Sequence, residues 1–370
     1  MPNMRKSTLT YLFCLSFLMT SCSNNAPAVS SENIQIQILP SSLNFDYTAS
    51  EQSILITSNA DFTVLSDQIW CNVSSSNINK GTDSLKISVA ENTTNSKRNA
   101  IITFKSGNFE KKYSVSQDCH LEINVPEGYR LVWQDEFNEY HASGEKPLLP
   151  NATKWWFETG GGGWGNNELE RYIPGYEGSD TCSVVSNGTL KIIAKKKGNE
   201  VISIRMNTSK SWTYGYFEAR LKLPQGKGTW PAFWMMPKNF SAWPDDGEID
   251  IMEEVGYRPN WVSASIHCSA YNHKMGTQKT AEKFVSTAES DFHVYAVEWT
   301  ESFIKGYVDG ENYFTFLNDG KKDKKTWPFN TPFYLKLNLA WGGNWGGAQG
   351  VDESKLPATY EIDYVRVFQK

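Results

Sequence analysis

The sequence predicts an all-β protein made of two sandwiches. Short runs of residues alternate apolar and polar at period two through most of the chain, which is the pattern of half-buried strands. Clusters of Asn, Gly and Ser separate these runs as antiparallel hairpins require. Helical periodicity is scarce. The chain has 370 residues, enough for about two domains. It contains 14 Trp, 17 Tyr and 19 Phe, a set that fits a β-sandwich core as well as an aromatic-lined cleft. Net charge is −5 with both signs dispersed and no long basic stripe, so nucleic acid is not expected as a partner.

The first segment reads as a targeting signal. Arg5 and Lys6 precede a short apolar core, Leu9 to Met19, and Met19-Thr20-Ser21-Cys22 follows. The apolar run is too short to span a membrane. The segment resembles the lipobox of bacterial lipoproteins, which implies removal of residues 1–21 and lipidation of Cys22. An ordinary cleaved signal ending near the same place is the alternative. Of the remaining cysteines, Cys71, Cys119, Cys182 and Cys268 match no zinc spacing and no compact disulfide framework, and are expected as buried free thiols.

Residues 22–33 are small and polar and read as a tether. Residues 34–118 show short alternating strands, among them Ser53-Ile54-Leu55-Ile56-Thr57 and Asn99-Ala100-Ile101-Ile102-Thr103-Phe104, and predict a small antiparallel sandwich. Residues 119–126 link it to the rest, with Pro126 at the boundary. Residues 127–370 are again β-patterned, as in Tyr216-Phe217-Glu218-Ala219-Arg220-Leu221 and Tyr334-Leu335-Lys336-Leu337-Asn338-Leu339. One large sandwich of two sheets fits that length.

The run Glu248-Ile249-Asp250-Ile251-Met252-Glu253 carries the chemistry. Glu248 and Asp250, two apart, share a face of a strand. Strict alternation puts Met252 on that face, so Glu253 joins it only if a β-bulge inserts a residue near Ile251-Met252. Two carboxyl groups on one face are what a retaining glycosidase needs, one as nucleophile and one as acid/base, roughly 5–5.5 Å apart. Asp250 between them can share a proton with Glu248. An exposed acidic edge strand is the alternative reading. The glycine run Gly160 to Gly165 lacks the Gly-Lys-Ser/Thr ending of a phosphate loop, and no His/Asp/Glu cluster has the spacing of a catalytic metal site.

Two family resemblances follow. Leu43-Asn44-Phe45, Ser58-Asn59, Trp70, Asn92, Arg98-Asn99-Ala100 and Val115-Ser116-Gln117 resemble a BACON domain, an immunoglobulin-like module of Bacteroidetes proteins. That implies either carbohydrate binding or a spacer, and the spacer is the expectation, since no exposed aromatic platform is legible. From residue 128 onward the chain resembles glycoside hydrolase family 16, in particular its laminarinase-like β-glucanases. The resemblance runs through Leu131-Val132-Trp133-Gln134-Asp135-Glu136-Phe137, Gly163-Trp164-Gly165-Asn166-Asn167-Glu168-Leu169-Glu170, Gly228-Thr229-Trp230-Pro231-Ala232-Phe233-Trp234, the acidic run, Ser265-Ile266-His267 and Leu337-Asn338-Leu339-Ala340-Trp341-Gly342-Gly343-Asn344-Trp345. It implies a β-jelly roll of the concanavalin-like kind with a curved inner sheet.

The resemblance implies roles residue by residue. Glu248 matches the nucleophile, Glu253 the acid/base and Asp250 the supporting carboxylate. Trp230, Trp234, Arg220, Asn167, Glu168, His267, Asn338, Asn344 and Trp345 match residues that contact sugar. A core place for one tryptophan and a structural ion pair for Arg220 stay open as alternatives. No cofactor is expected for catalysis. Glu136 and Asp363 are candidates for a structural calcium.

The expectation is a monomeric, retaining endo-β-glucanase that cleaves mixed-linkage β-1,3/1,4-glucan, β-1,3-glucan or both. It is expected on the outer membrane of a bacterial envelope, held by a lipid at Cys22 and facing outward. A strict laminarinase is the alternative, and a non-catalytic glycan-binding lipoprotein is the rival from another class.

Overall fold

A computed structural model describes residues 34–94, 97–119, 123–138 and 147–370. Cys22, the expected signal and the tether lie outside the described residues.

The strands fall into two groups that share no sheet. In the first, Ile36–Leu39, Ser50–Ser58, Gly81–Val89 and Cys71–Val73 form a four-stranded sheet in that order. Leu43–Phe45, Phe109–Gln117, Arg98–Ser106, Phe62–Ser66 and Asn77–Ile78 form a five-stranded one. Alternation turns Ile54, Ile56, Leu85 and Ile87 of one sheet, and Phe62, Val64, Ile102, Phe104 and Val115 of the other, into a common core. The residues that gave the BACON resemblance are structural here. Arg98 lies 4.3 Å over the Trp70 ring. It donates Nε to Gln117 Oε1 at 2.9 Å, and Gln117 donates Nε2 to the Ala90 carbonyl at 3.0 Å. Trp70 is thus capped by a cation rather than presented as a platform.

The second group is a sandwich of a ten-stranded and a seven-stranded sheet. The seven strands are β1 (Trp155–Glu158), β2 (Arg205–Thr208), β3 (Thr229–Pro237), β4 (Glu248–Glu253), β5 (Trp261–His267), β6 (Lys279–Phe284) and β7 (Phe333–Trp341). Their order across the sheet is β1-β2-β7-β3-β4-β5-β6, and each neighbouring pair is antiparallel. β7 shows why the layers separate. Phe333, Leu335, Leu337, Leu339 and Trp341 enter the core, which leaves Tyr334, Lys336, Asn338 and Ala340 on the opposite face. The only α-helix among the described residues is Gly343–Gly346. Cys71, Cys119, Cys182 and Cys268 are buried and unpaired.

On the ten-stranded sheet, Gly215–Lys222 pairs with Ala358–Gln369. Phe217, Ala219 and Leu221 are buried in the core, so Glu218 and Arg220 point away from it. The partner strand carries a register shift opposite Arg220/Leu221 that leaves Asp363 as the extra residue. Arg220 Nη1 donates to Asp363 Oδ2 at 2.6 Å. Arg366 grips Glu136 with two bonds, Nε to Oε1 at 2.8 Å and Nη2 to Oε2 at 2.9 Å. These pairs bear on the expected calcium. Guanidinium groups already stand against both carboxylates, and each oxygen of Glu136 accepts a bond from Arg366, so a positive charge is already in place where a cation would sit. The two residues do not fit that ion as a pair, and no role is derived through one.

Candidate active site

Strand register lays out the site as rows on the outer face of the seven-stranded sheet. One row runs Glu158, Arg205, Asn338, Ala232, Glu253, Ser263. The next runs Trp156, Asn207, Lys336, Trp234, Asp250, Ser265. In a third, Glu248 faces His267. Neighbouring strands stand about 4.8 Å apart, so each row brings side chains from distant segments into contact.

The bulge that the acidic run requires is present in β4. Asp250 pairs with Ser265 and Glu253 with Ser263, so three steps on β4 oppose two on β5. The same slip separates Phe233 from Trp234 on β3. Ile251 and Met252 are both fully buried in the core, and Glu253 returns to the face of Glu248 and Asp250. All three carboxylates line one cleft of about 350 Å³.

Each outer carboxylate receives one indole hydrogen bond. Trp243 donates to Glu248 Oε2 at 3.2 Å, and Trp230 donates to Glu253 Oε1 at 3.0 Å. His267 Nε2 lies 3.2 Å from Asp250 Oδ2 and 3.8 Å from Glu248 Oε1. Burial pushes Asp250 up to about 8. Glu248 is pushed up to about 8 by burial and then by the charge of Asp250, against the pull of His267. Glu253 is raised to about 8 by burial and by Asp250, with His267 and the Trp230 bond opposing. The trio therefore holds protons well above the usual carboxylate range, and each charge it carries raises the cost of the next.

The cleft continues on the β3, β7 and β2 side. Trp234 donates Nε1 to Asn338 Oδ1 at 2.7 Å. Asn338 donates to the Tyr172 hydroxyl at 3.3 Å, which donates to Glu168 at 3.2 Å. Lys336, 1% exposed, bonds Glu158 at 2.8 Å and Asn207 at 2.5 Å. Arg205 pairs with the same Glu158 and lies over both Trp164 and Trp234, at 4.7 and 5.0 Å. Burial works to raise Glu158, yet Arg205 and Lys336 outweigh it and hold this carboxylate below its usual range. Burial and the nearby Arg205 lower Lys336 to about 7.

The expected sugar contacts divide. Trp230, Trp234, Glu168 and Asn338 line the cleft. Asn167, on an exposed loop, and Asn344, exposed in the short helix Gly343–Gly346, instead bond each other at 2.9 Å, and Asn166, one residue before Asn167, is at the wall. Trp345 packs edge-on against Trp230, with ring centroids 5.3 Å apart, and so braces a wall tryptophan. His267 is 6% exposed and faces the carboxylates, 3.2 Å from Asp250. Arg220 is a correction. It stands on the ten-stranded sheet, turned outward to Asp363, because Phe217, Ala219 and Leu221 take the inward positions of its strand. The arginine of the cleft is Arg205. Arg205, Lys336, Glu158 and Trp243 escaped the sequence reading because each sits in ordinary alternation or a plain loop. The one signal for the first three was a charge on the non-core phase of a strand.

Comparison with known proteins agrees with this geometry. Residues 174–366 match the model of glycosyl hydrolases family 16, and residues 50–118 match BACON, a putative N-terminal binding domain. A β-glucanase of Rhodothermus marinus is 46% identical over 254 residues, which span 65% of this chain and 85% of that protein. The X-ray structure of the Rhodothermus marinus laminarinase covers 65% of this chain and 97% of its own, with 44% identity and a TM-score of 0.59. A laminarinase from Flavobacterium sp. UMI-01 covers 65% and 100%, with 40% identity and a TM-score of 0.58. The bulged acidic strand, the tryptophan cleft and these matches lead to one conclusion: the chain belongs to glycoside hydrolase family 16.

Proposed function

We infer that this protein is a retaining endo-β-glucanase acting on β-1,3-glucan and mixed-linkage β-1,3/1,4-glucan. The observation that carries the reading is the β4 bulge, which sets Glu248, Asp250 and Glu253 on one face of the cleft. A protein that only binds glycan has no need of a paired nucleophile and acid. The relatives' names support the substrate class, since they are a β-glucanase and two laminarinases.

The chemistry follows from the three environments. Glu248 attacks the anomeric carbon as a carboxylate and forms a glycosyl-enzyme while the glycosidic C–O bond breaks. Glu253, kept protonated by its burial, gives its proton to the departing oxygen. It then takes a proton from water, which attacks the same carbon and releases Glu248. Asp250, 4% exposed and pushed up to about 8 by burial, keeps its proton and so spares Glu248 the neighbouring charge that would raise it further. His267 Nε2 stands 3.2 Å from Asp250 Oδ2, so the imidazole is the polar group beside this carboxyl. Trp230 and Trp234 offer apolar ring faces to sugar C–H faces, while Asn338 and Glu168 supply hydrogen-bonding groups.

The mixed-linkage polymer is proposed as the preferred substrate, with a lipid at Cys22 holding the enzyme on the outer membrane, facing outward. The N-terminal sandwich then acts as a spacer, consistent with the capped Trp70. The test is hydrolysis of barley mixed-linkage glucan and laminarin side by side, with products resolved by size and anomeric form. Short products of retained configuration, released faster from the mixed-linkage polymer, are expected. Faster attack on laminarin reverses the preference and keeps the mechanism. Binding without release from either polymer overturns the enzyme reading.

A further inference from the structure

Away from the carboxylates, the cleft face of the seven-stranded sheet carries two aromatic pairs toward its edges, each with an exposed indole. On one side Trp261 meets Phe284, with ring centroids 5.5 Å apart. The Arg258 guanidinium lies 4.4 Å over the Trp261 ring and is itself paired with Glu282. That face already has a partner. The other pair differs.

Trp155 and Trp156 open β1, the strand at the far edge. Trp155 is buried in the core and donates its indole N–H to Asp135 at 2.7 Å. Alternation therefore turns Trp156 to the cleft face, where it is 44% exposed. Register places it in the row that ends on Asp250, through Asn207, Lys336 and Trp234. Four strand spacings separate β1 from β4, about 19 Å. Among the described residues its one ring neighbour is Tyr334, at 6.4 Å and tilted by 47°. Tyr334 itself lines the cleft, and the Lys336 ammonium lies 5.2 Å over Tyr334 and 5.1 Å over Trp234. Trp234, the Lys336 ammonium, Tyr334 and Trp156 thus follow one another from the catalytic row toward the edge of the sheet.

We propose that Trp156 and Tyr334 form a distal subsite that holds a further sugar unit of a β-glucan chain, beyond the units seated against the carboxylates. The inference rests on the glucanase reading and adds length selectivity to it. A large indole left half in water on a sheet face is a binding element when it continues a ligand cleft. Its flat apolar face suits the C–H face of a pyranose, and its distance from the acids leaves the chemical step untouched. Trp156 is a specificity residue, not a catalytic one.

The test compares wild type, Trp156→Ala and Trp156→Phe on a length series of β-1,3 and mixed-linkage gluco-oligosaccharides and on the polymers. For Trp156→Ala, kcat/KM on the longest substrates is expected to fall about tenfold, carried mainly by KM, which corresponds to one tenfold step in affinity. The shortest substrate that is cleaved should change by less than about twofold, and Trp156→Phe should keep most of the long-chain advantage. An equal loss at every length, or no loss at any length, overturns the subsite. Wild-type protein that neither cleaves nor binds any glucan overturns the glucanase reading and the subsite with it. That outcome is recognised from the wild type alone.

Discussion

The two sheets of the larger sandwich each turn acidic residues outward, and the two clusters are built differently. On the ten-stranded sheet, Glu136, Glu218 and Asp363 stand among Arg366 and Arg220. On the seven-stranded sheet, Glu248, Asp250 and Glu253 have indoles and one histidine for neighbours. Of the cations that line the cleft, Arg205 and Lys336 are already engaged by Glu158, and Lys274 lies over the Trp243 ring. The same alternation produces both faces, so it is the counter-charges that separate a structural cluster from a reactive one. Burial raises Glu218 to about 7 and lifts Asp363 too, but the guanidinium groups oppose it there, whereas the trio, pushed up to about 8, has no guanidinium paired to it.

The largest effects should come from the reactive cluster and appear in rate alone. Glu248→Gln and Glu253→Gln keep the shape and remove the chemistry. Each is expected to lower kcat by about 10³-fold or more on glucan, with unchanged circular dichroism and an equal or higher Tm. A loss under about tenfold in either variant would place the acid or the nucleophile elsewhere.

The structural cluster should behave in the opposite sense. Arg366 is 5% exposed and holds Glu136 by two bonds, with Glu218 at 3.6 Å. Arg366→Met leaves two acids without their cation, a change that costs about 3–5 kcal/mol in buried pairs. At roughly 2–4 °C per kcal/mol for a domain of this size, Tm should fall by about 10 °C. The kcat of the folded variant at low temperature should stay within about twofold of wild type. A large loss of kcat with little change in Tm would erase the distinction between the two faces.

This contrast also marks what was legible in the chain. The Glu248–Glu253 run could be read to its bulge because it breaks its own period: three acids cannot share a face of one strand without an extra residue. The two sandwiches were legible from alternation alone. Arg220 was misplaced because a strand pattern gives the two faces but not the layer, and its sheet is decided by pairing with residues more than a hundred positions away. Arg205 and Lys336 were illegible for the same reason. A charge in the outward phase of β2 or β7 looks like any solvated residue until register sets Arg205 beside Glu158 and the Lys336 ammonium reaches the same carboxylate. The position of His267 against Glu248 was not legible, since it depends on how β5 pairs with β4.

Stability against pH sharpens the comparison further. Asp250 is raised from its usual range to about 8. Between those limits the folded state binds more protons than the unfolded state, so this group's contribution to stability is present at low pH and is lost as pH rises toward 8. Asp250→Asn is neutral throughout and removes the loss. Its Tm should match wild type near pH 4 and exceed it near pH 8. Activity should fall, because Glu248 then loses the proton partner beside it. Equal Tm at both pH values would mean that Asp250 is ionised in the folded protein.

The smallest effects should come from the two indoles, and they have opposite signatures. A hydrogen bond donated to a carboxylate favours its charged form, so removing the donor raises that group's pKa. The rate requires Glu248 ionised and Glu253 protonated, which gives a bell-shaped profile with Glu248 on the acid limb. Trp243→Phe removes the bond to Glu248, so the acid limb should move to higher pH and the bell should narrow. Trp230→Phe removes the bond to Glu253, so the alkaline limb should move to higher pH and the bell should widen. A hydrogen bond to a charged group contributes about 1.5–3 kcal/mol, and at these partly exposed sites the shift in either limb should be about one pH unit or less. Profiles of kcat/KM measured on one soluble glucan separate the two cases. Should both substitutions move the same limb, the acid/base and nucleophile roles could not be divided between Glu253 and Glu248 by their indole partners, and the assignment would have to rest on trapping the glycosyl-enzyme.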